Sequence, residues 1–182
     1  MIRTQLLIPS INELFFYFTI YSLGGWLLEN VYNVIRSKPF FKPNFLVGPF
    51  KPMYGFAPVL LLIIIRPNMP LWLVLSFCFL IPLVVEYFTG WLLVTFFGKR
   101  YWDYRDLPFQ LHGHIALGYA LCWIVLSYSI LTIVHPYVQR LYQWLYRDWK
   151  FLALVYFVYF SLELLWAIKR HLHIKNATPV HR

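Results

Sequence analysis

"LWLVLSFCFLIPLVVEYFTGWLLVTFF" occupies residues 71–97, and its single charged residue is Glu86. About 20 predominantly apolar residues are enough for a helix to cross the hydrocarbon core of a bilayer. The whole chain of 182 residues is 60% hydrophobic and 13% charged, whereas a soluble domain carries about 25% charged residues. A soluble fold this small cannot cover so much apolar surface. We therefore predict an all-α, polytopic membrane helix bundle that forms a single transmembrane domain over residues 1–182.

Apolar segments predict about five transmembrane helices, at residues 14–35, 53–65, 71–97, 115–134 and 151–168. The second segment is short, and Pro43, Pro49 and Pro52 precede it. Proline removes a backbone donor and clashes with the preceding helical turn. We therefore expect an irregular or re-entrant chain in front of this helix. A membrane tolerates such a chain only where protein or water covers the backbone.

The distribution of Lys and Arg predicts the orientation. With five spans, one side of the membrane holds eleven of the 16 Lys and Arg residues and the other side holds five. The richer side is expected to face the cytoplasm. The protein is then a multi-pass protein of the cell membrane, with its N-terminus outside and its C-terminus in the cytoplasm. The basic residues lie between the apolar runs and at the ends of the chain, which favours the lipid bilayer over nucleic acid as the partner.

The chain contains a weak internal similarity. A displacement of 65 residues gives eight identities over thirty ungapped positions. Two Gly-Trp-Leu-Leu runs, 25–28 and 90–93, coincide, and so do two loops with the pattern Pro-x-x-Leu-x-Gly-x5-Tyr, 43–54 and 108–119. This similarity predicts a tandem parallel helix-loop-helix repeat over about 14–65 and 79–130. A shared membrane composition is the alternative explanation.

Ionisable residues are scarce within the spans, where a charge costs about 2.5–3.5 kcal/mol on insertion scales. Ser22, Trp26, Glu29 and Asn33 share one stripe of the first helix. The topology brings the inner helix ends and both inner loops to the cytoplasmic half of the bundle. We predict a polar, substrate-binding cluster there, formed by Glu29, Asn33, Lys51, Glu86, Asp103, His112 and His114. Lys51 is the expected partner of Glu29 or Asp103, and a structural ion-pair network is the alternative interpretation.

His112-Gly113-His114 raises the question of metal binding. The two imidazoles lie on opposite sides of an extended segment or about 200° apart on a helix. Neither arrangement chelates a metal without further ligands. A metal site completed by Asp103 or Glu86, a proton carrier, and a polar loop capping the fourth helix remain as alternatives. We predict no metal, no cofactor and no catalytic residue, and the chain has neither a Gly-x-Ser-x-Gly element nor a P-loop.

Three segments, "GGWLLENVYN" (24–33), "GPFKPMYGFAPVLL" (48–61) and "EYFTGWLLVTFFGKRYWDYRDLPFQLHGHIALGYALCW" (86–123), carry a family resemblance. They resemble the bacterial integral membrane proteins described as "putative ABC-transporter type IV permease". The resemblance covers about residues 12–130 and implies a permease that works with a separate ATP-binding subunit. An acid often follows the second Gly-Trp-Leu-Leu in that family, whereas this chain has Val94.

The leading hypothesis is a transporter subunit, an ABC-type permease, with a polar cluster at its inner face. Five helices with so few polar groups are expected to need partner subunits or homo-oligomerisation. A membrane-embedded enzyme that acts on a lipid or isoprenoid substrate is the first alternative, with His112, His114, Asp103 and Glu86 as acid–base groups. A non-catalytic membrane assembly subunit is the second.

Overall fold

The computed structural model describes residues 9–177. Its regular secondary structure is helical apart from one short hairpin. The helices are α1 (Ile11–Ile35), α2 (Pro52–Ile64), α3 (Leu71–Phe97), α4 (Leu117–Ser129) and α5 (His135–Ala177), with a π-helical turn (Ile130–Val134) between the last two. Strands β1 (Gln110–Leu111) and β2 (Ile115–Ala116) pair antiparallel in the loop before α4. The predicted all-α class is confirmed. Arg3 and Arg182, which contributed to the orientation prediction, lie outside the described residues.

Local sequence explains where the helices begin and end. The Ser10 hydroxyl caps α1 by accepting the Glu13 N–H at 3.2 Å. α3 follows Pro70 and ends at Gly98, whose φ of 62° is the left-handed conformation that glycine adopts without strain. α2 begins at Pro52, and residues 36–51 before it form neither helix nor strand. The irregular chain predicted before the second helix is therefore confirmed.

The last two predicted spans are one unbroken helical run rather than separate helices. α4, the π turn and α5 follow one another without a break, and Leu117–Asn176 is a continuous 60-residue helix. A straight helix of that length would extend about 90 Å. However, His114, just before its start, packs on Gly90 of α3, and Lys175, near its end, donates to the Thr95 and Phe96 carbonyls at 3.2 and 2.9 Å. Both ends therefore lie beside the last turns of α3, and the run doubles back.

The middle of this run packs on α1. Phe16 contacts Tyr142 and Trp149 with ring centroids 5.3 and 4.9 Å apart. Tyr21 shares a hydrogen bond of 2.9 Å with the His135 ring. Aromatic side chains supply most of the apolar contact here, and each such pair adds about 0.5–1.5 kcal/mol beyond its buried area. This cluster holds the start of α5 against α1.

α1 and α2 approach closely at two glycines. A side chain at Gly25 would overlap the Tyr54 side chain, and one at Gly55 would overlap Ser22 and Phe18. The absence of a side chain at each glycine therefore leaves the space that a side chain of the other helix occupies. This close packing sets the position of Tyr54, which lies at the candidate site described below.

The two helical hairpins have partly similar geometry. α1 packs on α2, and α3 packs on α4. α2 and α4 are both 13 residues long, and their first residues are 65 apart, the displacement found in the sequence. The loops differ, because 36–51 is irregular whereas 98–116 contains the β1–β2 hairpin. The internal duplication therefore stays a prediction.

Replacement of Gly25 by Leu is expected to destabilise the protein by about 1–3 kcal/mol, since the new side chain competes with Tyr54 for the same space. Thermal unfolding of the detergent-solubilised protein measures the effect. Gly24→Leu is the matched control, because nothing lies within 4 Å of a side chain added there. Equal melting temperatures for the two variants would contradict the packing described.

Candidate functional site

Glu29 is the centre of a largely buried ion-pair group in the C-terminal half of α1. Its Oε2 accepts hydrogen bonds from Lys51 and from Lys42, the latter at 2.6 Å. The Glu29 and Lys51 side chains are only 16% and 10% exposed. A buried charge requires a partner because its desolvation is costly. The predicted partnership of Glu29 with Lys51 is therefore present, and Lys42 joins it.

Neighbouring residues hold both lysines in place. The Asn30 side chain is buried, donates to the Trp26 carbonyl at 2.9 Å and accepts the Lys42 N–H at 2.9 Å. The Lys51 N–H donates to the Ser22 carbonyl at 3.1 Å. These bonds attach both ends of residues 42–51 to α1. The ammonium groups therefore reach Glu29 from a fixed loop rather than from a free one.

Glu86 lies in α3 and is 3% exposed. Its two oxygens accept hydrogen bonds from the Trp123 indole at 2.8 Å and the Tyr104 hydroxyl at 3.1 Å. Tyr104 stacks on Tyr119 at a centroid distance of 4.8 Å. Within residues 9–177, no Lys, Arg or His lies within ion-pair distance of Glu86. This carboxyl group is therefore held by neutral donors.

Tyr54 connects the two acidic groups. Its side chain lies near Glu29, Glu86 and Tyr104, and its ring contacts Trp123 at a centroid distance of 5.5 Å. Glu29 and Glu86 are also close enough to interact electrostatically. Carboxylates from α1 and α3 thus share one buried region, which we call the Glu29–Glu86 cluster: Glu29, Lys42, Lys51, Tyr54, Glu86, Tyr104 and Trp123.

The loop residues of the predicted site lie elsewhere. Asp103 binds the Arg105 guanidinium through both carboxylate oxygens, at 2.6–3.0 Å, and Arg100 lies 3.7 Å away. The hydrogen bonds from the Arg105 side chain, together with its positive charge, lower the pKa of Asp103 below its usual range. Asp103 is therefore ionised at neutral pH and compensated within its own loop, not by Lys51.

The two histidines pack on the second half of α3, at Tyr87 and Gly90. His112 shares a hydrogen bond of 2.8 Å with the Tyr87 hydroxyl, and the His114 ring packs on Gly90. Burial, with Arg100 nearby, lowers the pKa of His114, so its ring is neutral at pH 7. Trp102 donates to the His114 carbonyl at 2.8 Å. These contacts fix the β1–β2 hairpin against α3.

The structure thus brings together three of the seven predicted site residues, Glu29, Lys51 and Glu86. Asn33 caps the end of α1 by donating to the Pro39 carbonyl at 3.4 Å. Lys42, Tyr54, Tyr104 and Trp123 belong to the cluster but were not predicted. The shared loop pattern ends at Tyr54 and was a signal for that residue. Trp123 has no comparable signal, because its role depends on how α4 packs against α3.

Chemically, the cluster offers one paired and one unpaired carboxyl group within hydrogen-bonding reach of tyrosine and tryptophan donors. Such a site suits a cationic or hydrogen-bonding ligand group, or the uptake of a proton by Glu86. Within residues 9–177, no three His, Cys, Asp or Glu side chains lie close enough together to hold a metal ion.

The family model described as "Putative ABC-transporter type IV" matches residues 16–168. Because this match covers most of the chain, the protein belongs to that family. Neither a curated protein nor a solved structure gives a significant match. The family, together with two helices long and apolar enough to cross a membrane, α3 and the α4–α5 run, is consistent with a membrane protein.

A double-mutant cycle tests whether Glu29 and Lys51 act as a buried pair. Glu29→Gln leaves Lys51 without its counter-charge, and Lys51→Met leaves Glu29 with Lys42 as its one remaining cation, so each should destabilise the protein. The double variant should lose about 1–3 kcal/mol less than the sum of the two single changes. Unfolding by heat or denaturant in detergent gives the free energies.

The exposed pair of Asp103 and Arg105 provides the control cycle, with Asp103→Asn and Arg105→Met. Solvent screens this pair, so its coupling should be clearly smaller. Coupling of the same size in the two cycles would contradict a buried role for Glu29 and Lys51.

Proposed function

We propose that this protein is a multi-pass subunit of an ABC-type transporter in the cell membrane and that the Glu29–Glu86 cluster contacts its substrate. Family membership supports the transporter class. The observation that carries the proposed site is the buried Glu86 carboxyl group of α3, held only by neutral donors, beside the largely buried Glu29 ion pair of α1. Buried acids within apolar helices are costly, and such residues mark substrate or proton pathways in membrane proteins.

The exposure of the apolar helices supports a membrane location. In the most apolar 18-residue stretch of α3, only 17% of the residues are buried within the protein. In the corresponding stretch of the α4–α5 run, only 6% are buried. A long apolar helix in a soluble protein would be the core helix and would be mostly buried. Here the large side chains of the two helices point outward instead, including Val84, Val125 and Val155. Lipid is the environment in which such a surface is stable.

The doubled-back helical run supports about five spans. α4 with its π turn and the second half of α5 cover the two remaining predicted spans, 115–134 and 151–168, and the run returns to the side from which it started. An N-terminus outside and a C-terminus in the cytoplasm follow from the charge distribution. The tandem repeat would relate α1–α2 to α3–α4 by an axis along the membrane normal.

The proposed assembly contains more than this chain. The family implies a separate ATP-binding subunit, and a second copy of this chain would complete a pathway that one small bundle cannot enclose. Asp103, His112 and His114, at the cytoplasmic loop beside α3, would lie at the inner mouth of the pathway. Asn33 would lie at the inner end of α1. All seven predicted residues are thus proposed to contact substrate or line its route.

A deletion strain of the native host tests the transport role. The distribution of small molecules between cells and medium is compared among the deletion strain and strains that carry the wild type, Glu29→Gln or Glu86→Gln. The wild-type gene should restore the distribution, and each variant should reduce the restored difference at least tenfold at equal membrane levels. Both substitutions remove a charge or acceptor that the proposed substrate contacts.

Asp148→Asn is the control, since Asp148 is an exposed acid far along the chain from the cluster. It should restore the distribution fully. Full restoration by both Glu29→Gln and Glu86→Gln would exclude the cluster as a substrate site.

A further inference from the structure

A large apolar cleft lies between α2 and α3, away from the cluster. Its volume is about 460 Å³, within the usual range for ligand pockets. Its walls are almost wholly apolar, and they include Phe56, Leu60, Val84, Phe88 and Leu93. Phe56 and Val84 are largely exposed, so the cleft opens at the outer surface of the bundle. The cleft touches the Glu29–Glu86 cluster only at Lys51.

A second, basic pocket of about 530 Å³ adjoins the cleft. Asn44 and Tyr101 line both, so the two cavities meet there. None of the described residues that line the basic pocket is acidic. Five of its lining side chains are cationic or carry an imidazole: Lys42, Lys99, Arg100, Arg170 and His171. A concave surface with this charge suits an anion.

Several of these groups have no local counter-charge. Lys42 pairs with Glu29, and Arg100 lies 3.7 Å from Asp103. In contrast, no carboxylate within residues 9–177 lies within 4.0 Å of the Lys99 or Arg170 side chain. Burial, together with the charges of Arg170 and Lys99, lowers the pKa of His171. Lys99 and Arg170 therefore bring positive charge to this pocket without a carboxylate to compensate it.

Buried polar atoms at the pocket also lack partners. His171 is 5% exposed and its Nδ1 has no hydrogen-bond partner, although Nε2 lies 3.2 Å from the Tyr101 hydroxyl. The Arg170 Nε is likewise buried and unpartnered, while its NH2 group donates to the Phe45 carbonyl at 3.2 Å. Buried polar groups are almost always satisfied in native proteins. Arg170 and His171 therefore carry hydrogen-bonding capacity that the described residues do not use.

We propose that the cleft and the basic pocket together bind one anionic phospholipid. An acyl chain lies between α2 and α3, and the phosphate lies among Lys99, Arg170 and His171. The chemistry recognised is thus an apolar chain joined to a phosphate, and each cavity alone would accept only one half of it. The proposal does not require the transport role, and the lipid site meets the Glu29–Glu86 cluster only at Lys42 and Lys51.

The dimensions fit a lipid of one leaflet. The α3 wall of the cleft runs from Val84 to Leu93, which is about 14 Å of helix. One leaflet occupies about half of the roughly 30 Å hydrocarbon core. The basic pocket lies at the Leu93 end, beside Lys99 and Tyr101, on the side expected to face the cytoplasm. The phosphate would therefore lie at headgroup level of the inner leaflet.

Native mass spectrometry of the full chain released from detergent micelles tests this inference. Phosphatidylglycerol should remain bound at one copy per chain under conditions that remove phosphatidylcholine with the same acyl chains. The variant Lys99→Gln/Arg170→Gln should bind phosphatidylglycerol at least tenfold more weakly. Thr89→Phe, which fills the cleft, should have the same effect. Lys99→Gln alone, at a half-buried position, should give a smaller loss without affecting folding.

Matched controls are Arg140→Gln, an exposed arginine on the same helix as Arg170, and Val125→Phe, on an exposed face of α4. Both should retain the lipid, and melting temperatures identify any variant that is misfolded. Unchanged binding in Lys99→Gln and in Lys99→Gln/Arg170→Gln would overturn the proposal. Competition by glycerol 3-phosphate as effective as that of the whole lipid would also overturn it, since the site would then bind a free anion. If Thr89→Phe were the only variant to lose phosphatidylglycerol, the proposed binding of the phosphate by the basic pocket would be wrong.

Discussion

The pairing of Glu29 with Lys42 and Lys51 fixes the loop between α1 and α2 against α1. α2 begins at Pro52, directly after Lys51, so the bond between Lys51 and Glu29 also sets the start of α2. Tyr54 then fits against Gly25 and reaches Trp123, which donates to Glu86. Loss of the pair would leave buried charges in a low-dielectric site, and such charges are strongly destabilising.

This arrangement places charge inside and apolar surface outside, the reverse of a soluble helical protein. Glu29, Lys51, Glu86 and Glu163 are buried or nearly so, whereas most large apolar side chains of α4 and α5 are exposed and most of those of α3 are exposed or half-buried. In water, this surface would drive aggregation. In lipid, the exposed side chains are already solvated, and packing must come from close approach and polar bonds. Gly25 and Gly55 allow the close approach of α1 and α2, and the Glu29–Glu86 cluster provides the polar bonds.

Periodicity and composition predicted the helices well because α3 is long and apolar, and its predicted bounds, 71–97, are those observed. The Glu29–Lys51 contact was also predictable, since an acid and a base in adjacent inner segments have few other partners. The partner of Asp103 was harder to predict, because the nearby Arg105, two residues along the chain, binds its carboxylate in place of a residue from another segment. The partners of Glu86 could not be predicted, since Tyr104 and Trp123 come from a loop and a helix whose packing has no local signal.

The continuity of the α4–α5 run was not predictable from the sequence, although five spans require the chain to reverse there. Residues 135–150 are rich in Tyr, Trp and Arg, a composition typical of an interfacial helix between two separate spans. His135 and Trp149 instead bind α1 through Tyr21 and the Asn12 carbonyl, at 2.9 and 3.0 Å. Tertiary contacts with aromatic residues of α1, distant in sequence, therefore decide the course of this helix.

The central claim is that the apolar faces of α4 and α5 contact lipid while the polar groups are enclosed. Spin labels on cysteines at Val125 and Val155, in a background without Cys78 and Cys122, measure it directly in liposomes, with a label at exposed Asp106 for comparison. Collisions with lipid-soluble oxygen should exceed those with a water-soluble nickel chelate at positions 125 and 155, and the order should reverse at position 106. Higher access to the nickel chelate at 125 and 155 would contradict the account.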